Sequence, residues 1–306
     1  MSPDLMNSQL LSARTEWTTS SWASVIENYT AVPAPFKSAC QPLLGNIQPF
    51  PYVVFAPVMS GFRQKIAEQL ICEVNDTITI WEHMGDQIIT AAYPLKDISM
   101  VEEGHILLYS WLTINGVTSQ GVAASATVSF NTVTAPYFEP FVDRVRPASA
   151  DVDQARWQAE KAKFDYLETA SFKFMNFARR SLVPGEQVIR TFWQPKIRKP
   201  FITLFGWSLY RTLYVAHLAV LTDKEVIFIG DDARLTETRG GQHGGIWQYV
   251  PLEHIVSASL TKQNDLLTLS LTLSSDGHHL NKLFAAANQR EIEQFRDALA
   301  LLIGVV

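Results

Sequence analysis

Tyr249-Val250-Pro251-Leu252-Glu253-His254-Ile255 has a counterpart upstream, Tyr93-Pro94-Leu95-Lys96-Asp97-Ile98. In both, a proline closes an apolar, β-prone run, because proline has no N–H to give to a sheet ladder. The surroundings match in the same order. Asn75-Asp76 precedes Ile78 and Ile80, as Thr222-Asp223 precedes Ile227 and Ile229. A long apolar strand follows each proline motif, starting at Ile106 and at Leu266. Tight glycine turns are expected next at Asn115-Gly116 and Asp276-Gly277, where Asn, Asp and Gly accept positive φ. Another strand ends near Phe130 and near Phe284. Each series closes with an amphipathic helix. Phe138, Phe141, Val142 and Val145 share one face of a helix over Thr134–Arg146, and Ile292, Phe295, Leu299 and Leu302 one over Arg290–Leu302, with Asn288 and Glu291 as its capping pair. Shared order of this kind points to an internal duplication.

Around these landmarks the pattern is β. Tyr52–Phe55, Leu70–Val74, Thr77–Trp81, Ile88–Tyr93 and Val122–Phe130 read as strands of the first region. Gln187–Trp193, Leu209–Leu221, Val226–Gly230 and Ile246–Val250 read as strands of the second. Leu267, Leu269, Leu271 and Leu273 alternate with Thr and Ser, the pattern of a half-buried strand. Asp151 to Ser181 differs in kind: it has no Gly or Pro, and Trp157, Phe164, Leu167, Phe174, Met175 and Ala178 recur at helical spacing. One long connector helix is expected there, its apolar stripe docking onto both regions or, as the alternative, pairing with another chain. The expected organisation is an extension over 1–46, a first domain over 47–148, the connector over 149–183 and a second domain over 184–306.

The two regions resemble the bacterial pleckstrin-homology-like (PH-like, or GRAM-like) superfamily. The carriers are Leu221-Thr-Asp-Lys-Glu-Val-Ile-Phe-Ile229 with the Tyr249–Ile255 motif. More divergently, Glu73-Val-Asn-Asp-Thr-Ile-Thr-Ile-Trp81 with Tyr93–Ile98 does the same in the first region. The resemblance covers roughly residues 50–146 and 184–306. It implies an α+β, mostly β fold: two tandem PH-like, partly open β-barrels, each closed by a C-terminal helix and joined by the connector. It implies binding or scaffolding and no particular ligand, since fold alone does not carry function.

The chain has 306 residues, a hydrophobic fraction of 47% and a charged fraction of 18%, the composition of a folded globular protein. The formal net charge of -5 argues against a nucleic-acid binder, which presents a basic face. Cys40 and Cys72 read as free buried thiols of a cytoplasmic protein. Met1–Asn7 lacks the charged and apolar regions of a signal peptide, so the sequons at Asn28 and Asn75 read as chance matches. The apolar window Phe201–Leu221 contains Arg211 and His217 and reads as buried strands, not a membrane span.

No catalytic residues, metal ligands or cofactor are expected. There is no Gly-x-Ser-x-Gly elbow and no His-Glu-x-x-His, and none of the 7 histidines has a zinc-like spacing. The glycine-rich run Arg239–Gly245 does not end in Gly-Lys-Ser/Thr and is followed by a strand, so it reads as a hairpin loop. The candidate ligand-binding residues are Lys196, Arg198, Lys199, Trp207 and Arg211, a basic and aromatic loop between the first two strands of the second domain. In lipid-binding members of the wider superfamily that loop holds phosphate head groups. Residues 1–150 hold 7 basic and 13 acidic side chains, and 183–306 hold 12 of each, so an anionic surface would meet the second domain first. Two functions follow as expectations. The first is a cytoplasmic, non-enzymatic module binding a protein partner or itself through exposed sheet edges and the connector helix. The alternative is a peripheral membrane module holding anionic lipid head groups through the loop 194–211.

Overall fold

A computed structural model describes residues 21–60, 65–149, 152–204, 207–232, 244–274 and 279–304. The first half runs β1 (Ser24–Ile26), α1 (Ala34–Leu44), β2 (Val53–Ala56), β3 (Met59–Ser60), β4 (Lys65–Ile66), β5 (Gln69–Val74), β6 (Thr77–Met84) and β7 (Gln87–Pro94). After a 3-10 turn it continues with β8 (Ile98–Ile106), β9 (Tyr109–Val117), β10 (Ala123–Asn131) and α2 (Glu139–Val145). The linking segment holds α3 (Gln154–Ala162) and α4 (Glu168–Ser181). The second half runs β11 (Val188–Gln194), β12 (Ile197–Leu204), β13 (Trp207–Tyr214), β14 (His217–Thr222), β15 (Glu225–Gly230) and β16 (Gly245–Pro251). A second 3-10 turn leads to β17 (Ile255–Gln263), β18 (Leu266–Leu273), β19 (His279–Ala285) and α5 (Gln289–Leu302). The fold is mostly β, in several antiparallel sheets, and ends in a helix.

The proline motif is a corner between sheets. Pro94 and Pro251 have nearly the same backbone angles, φ -57 with ψ 135 and φ -57 with ψ 137. Each ends its strand and starts the 3-10 turn. The next residue caps the preceding hairpin: Leu95 N donates to Asp76 O at 2.8 Å and Leu252 N to Lys224 O at 2.9 Å. Ile98 and Ile255 then drop into the core, and a register shift follows at once in both halves, between Ile98 and Met100 and between Ile255 and Ser257.

The strands form a five-stranded sheet β1-β2-β5-β6-β7, a seven-stranded sheet β10-β9-β8-β16-β15-β14-β11 and a three-stranded sheet β17-β18-β19. The seven-stranded sheet is shared: β8 of the first half pairs with β16 of the second, from Gly245↔His105 to Tyr249↔Val101. Its two faces line different cores. Leu218, Val220, Ile227 and Ile229 join one core with the five-stranded sheet, α2 and α4, whereas Ala219, Leu221, Val226 and Phe228 join another with the three-stranded sheet and α5. That double burial is why β14 and β15 read as unbroken apolar runs. A third core lies between α1 and the outer face of the five-stranded sheet, built on Phe36, Cys40, Leu44, Leu70, Cys72 and Trp81. Residues 24–44 therefore belong to the first sheet's packing. Cys40 and Cys72 are free and buried. Among the described residues no helix is long and apolar enough to cross a membrane.

Several local expectations need correction. Leu209–Leu221 is two strands, β13 and β14, interrupted at Val215-Ala216. Asn288 stands at the start of α5 but makes no side-chain capping bond. Ile106–Ile114 is not one strand, because Leu107 (φ 53) and Leu108 turn β8 into β9. Asn115 and Gly116 lie inside β9, and the chain turns later, at 118–122. A side chain at Gly116 would run into the Asp97 carbonyl, so glycine serves close approach of two strands there, not a turn. The connector is not one helix. It breaks at the 3-10 turn Asp165–Leu167 and again at Ser171 (φ -166, ψ 90). Fully buried Phe164 and Leu167 sit at the first break, which turns them into the same core as Trp157 and Phe174. The Asp276-Gly277 turn and most of the glycine run lie outside the described residues.

Candidate functional site

The basic and aromatic loop is the hairpin β12–β13. Lys196 precedes it, half-buried. Lys199 pairs with Arg211 and Arg198 with Thr212, while Trp207 opens β13 opposite Leu204. Facing residues of an antiparallel pair share a face, so Lys199 and Arg211 stand together and Arg198 lies on the other side. All three cations are exposed. At about 3.3 Å per residue, Trp207 begins about 13 Å along the strand from Arg211. The five candidates therefore do not converge: the fold brings two together, Lys199 and Arg211. Like charges directly opposite disfavour a hairpin by a few tenths of a kcal/mol or more.

Arg211 also lines a cleft of about 730 Å³ between this hairpin and the seam of the shared sheet. The floor is a chain of hydrogen bonds crossing the seam. Trp111 Nε1 donates to Glu102 Oε1 at 2.8 Å, Gln248 Nε2 donates to Glu102 Oε2 at 2.7 Å, and Lys282 Nζ donates to Gln248 Oε1 at 2.5 Å. Lys282 also sits 5.0 Å from the Phe228 ring centroid. Burial holds the Lys282 ammonium down to about 8, against the opposing pull of the Glu102 charge.

His217 lies on the cleft wall at 2% exposure, with the Tyr214 and Phe284 ring centroids at 5.1 and 4.8 Å. Burial first, and the Lys282 charge second, push its pKa down to about 3, so the ring is neutral near pH 7. Nδ1 lies 3.3 Å from the Val215 carbonyl and donates to it, which leaves Nε2 an acceptor without a partner among the described residues. At the rim, Asp231 is tied to Lys173 of α4 at 2.6 Å. Arg211 has no ion pair among the described residues, so the cleft offers an outward cation over a neutral, internally bonded floor.

Behind the cleft, a buried ionic cluster pins the halves together. Arg146, just past α2, sets its guanidinium on both Glu225 oxygens, with Nε 3.0 Å from each. It donates to Ser181 O at 2.6 Å and lies 3.6 Å from the Tyr249 ring centroid. Glu103 shares a hydrogen bond with the Tyr249 hydroxyl, and burial pushes its carboxyl upward. Burial and the Glu225 charge push Glu186 up to about 8. These groups satisfy one another, as a structural junction requires. Among the described residues no group of three or more His, Cys, Asp or Glu is placed to hold a metal ion.

Sequence reasoning reached Arg211 but missed Lys282, His217 and Glu102 as parts of one site. A signal existed for Lys282. In β19, Leu280, Lys282 and Phe284 share the inward face, so a lysine stands where alternation calls for an apolar residue. No family model matches the chain, and no curated protein matches it.

Proposed function

We propose that the chain is a non-enzymatic binding and scaffolding module of two tandem PH-like units, acting in the cytoplasm by association with protein, itself included. The common order of strands, corner and closing helix in the two halves supports the tandem reading. The observation that carries the functional reading is the seam: β16 takes up the free edge of β8 along Gly245–Tyr249. Main-chain groups at a strand edge supply affinity and side chains supply selectivity. Sedimentation velocity of the full chain over a range of concentrations tests it. Species heavier than the 34.3 kDa chain are expected. A monomer at every concentration that retains no partner from a lysate contradicts it.

One observation favours a second reading, attachment to an anionic membrane surface. The Lys199–Arg211 pair places two cations, neither in an ion pair among the described residues, on one face of a hairpin over a cleft. At about 1 kcal/mol per basic residue near an anionic surface, the pair supplies on the order of 2 kcal/mol. Co-sedimentation with phosphatidylserine vesicles at low salt, lost at high salt and in Lys199→Glu/Arg211→Glu, is the expected result under this reading. Equal recovery with phosphatidylcholine vesicles contradicts it.

A further inference from the structure

Most sheet edges of this molecule are capped from within. β1 has three residues. The edge of β10 is bridged by Gln69, whose Nε2 donates to Thr127 O at 2.6 Å and whose Oε1 accepts from Ser129 N at 3.1 Å. β19 receives the same treatment from Gln194, whose Oε1 accepts from Ala285 N at 2.9 Å. The edge of β11 is capped by α3: Glu160 accepts from Val188 N at 2.6 Å, and Lys163, just beyond the helix, donates to Val188 O at 2.8 Å. Outside the β3–β4 and β12–β13 hairpins, two long edges stay largely open among the described residues: β7, which Ser119 bonds from outside at Ala92 O, and β17.

These two edges are counterparts of the pair that forms the seam. β7 occupies in the first half the place of β16 in the second, before the proline corner. β17 occupies the place of β8, after it. The chain has thus used one edge of each kind on itself and left one of each kind open. The edge of β7 carries none of the charge that usually guards an exposed strand, and that of β17 carries one charge, Lys262, near its end. Gln87–Pro94 has no charged residue, and Ile255–Thr261 has none. Ile89 is 50% exposed and Val256 52%. On β7, Ser119 N donates to Ala92 O at 2.8 Å, so the main-chain groups of Ala92, and by alternation those of Thr90 and Ile88, point outward.

We propose that a second copy of this chain pairs its β7 with β17 of the first, repeating the seam between molecules in a head-to-tail manner. The inference rests on the association reading above and names its partner and edges. Transferring the seam register gives Ile88 opposite Lys262 and Thr90 opposite Leu260, with Asp86 diagonal to Lys262 and of opposite charge; the pairing ends before Ala92, whose carbonyl Ser119 holds. Such an interface is heterologous: each molecule keeps one edge of each kind, and growth continues beyond a dimer.

Two proline variants of the full chain test it. Thr90→Pro and Leu260→Pro each remove one outward N–H, a substitution an edge strand tolerates when its inner ladder is untouched. In sedimentation velocity the wild type is expected to grow beyond a dimer with concentration. Each variant alone is expected to be monomeric, and an equimolar mixture to stop at a dimer, because one supplies β17 and the other β7. Hydrogen exchange on the wild type needs no mutation. The Thr90 and Leu260 amides are expected to become protected as concentration rises, while those of Ile89 and Ala91 stay protected throughout. A wild type that remains monomeric overturns both this inference and self-association. A wild type that assembles with both amides unprotected, or whose variants, folded by circular dichroism, assemble as it does, overturns the inference alone and leaves association standing. Variant mixtures that give no heterodimer overturn the head-to-tail mode.

Discussion

Arg146 shows how much one side chain holds. Its guanidinium and the Glu225 carboxylate have side-chain exposures of 9% and 4%, so neither finds water if the other is removed. Arg146→Ala is expected to destabilise the chain by about 3–5 kcal/mol in denaturant unfolding, because it strands a buried charge. Arg146→Met combined with Glu225→Leu is expected to recover most of that loss. A loss below about 1 kcal/mol for the single variant contradicts the junction described for it. His217 and Lys282 give a pH signature. His217 falls from an ordinary 6.5 to about 3, so between those values the unfolded chain binds the extra proton and stability drops as pH falls. Lys282 falls from 10.5 to about 8, so stability rises with pH across that window. His217→Gln is expected to flatten the acid limb of a stability–pH curve, and Lys282→Met the alkaline limb. Limbs unchanged by either variant contradict the assignment. Lys282 was legible in the sequence by its place in the alternation of β19. His217 was not, because a lone histidine before an apolar run fits a satisfied core position equally well.

At the scale of elements, the strands that the proline motifs close and the closing helices follow from local chemistry, and they were legible, whereas the strands that leave the corners, β8 and β17, were not, because they mix buried and polar residues. Turn positions were not. Asn264-Asp265 turns β17 into β18 with turn-prone residues, whereas the same place in the first half is Leu107-Leu108. Leu107 holds φ 53, a region that costs an ordinary L-residue about 1–2 kcal/mol. Leu107→Asn is expected to raise the melting temperature, and a fall contradicts the turn. Gly116→Ala is expected to lower it by forcing β8 away from β9, because the new methyl meets the Asp97 carbonyl. An unchanged melting temperature contradicts that close approach. The broken connector was hidden for a different reason. It carries neither Gly nor Pro, and its breaks answer to where Phe164 and Leu167 find a core.

At the scale of the molecule, the seam was beyond the sequence. A strand edge carries no partner-specific residue pattern, and β8 and β16 are separated by more than the length of the whole linking segment. The seam makes one sheet of two halves and sets the cleft's floor, since Glu102 and Gln248 face each other across it. The most direct measurement is residue-resolved hydrogen exchange along β16 in dilute protein. With β15 on one side and β8 on the other, every amide from Ile246 to Tyr249 is expected to be protected. In β7, which has one neighbour, protection is expected to alternate, with Ile89 and Ala91 slow and Ile88 and Thr90 fast. Alternation in β16 like that in β7 would mean that its outer edge is open and that the two halves do not share a sheet.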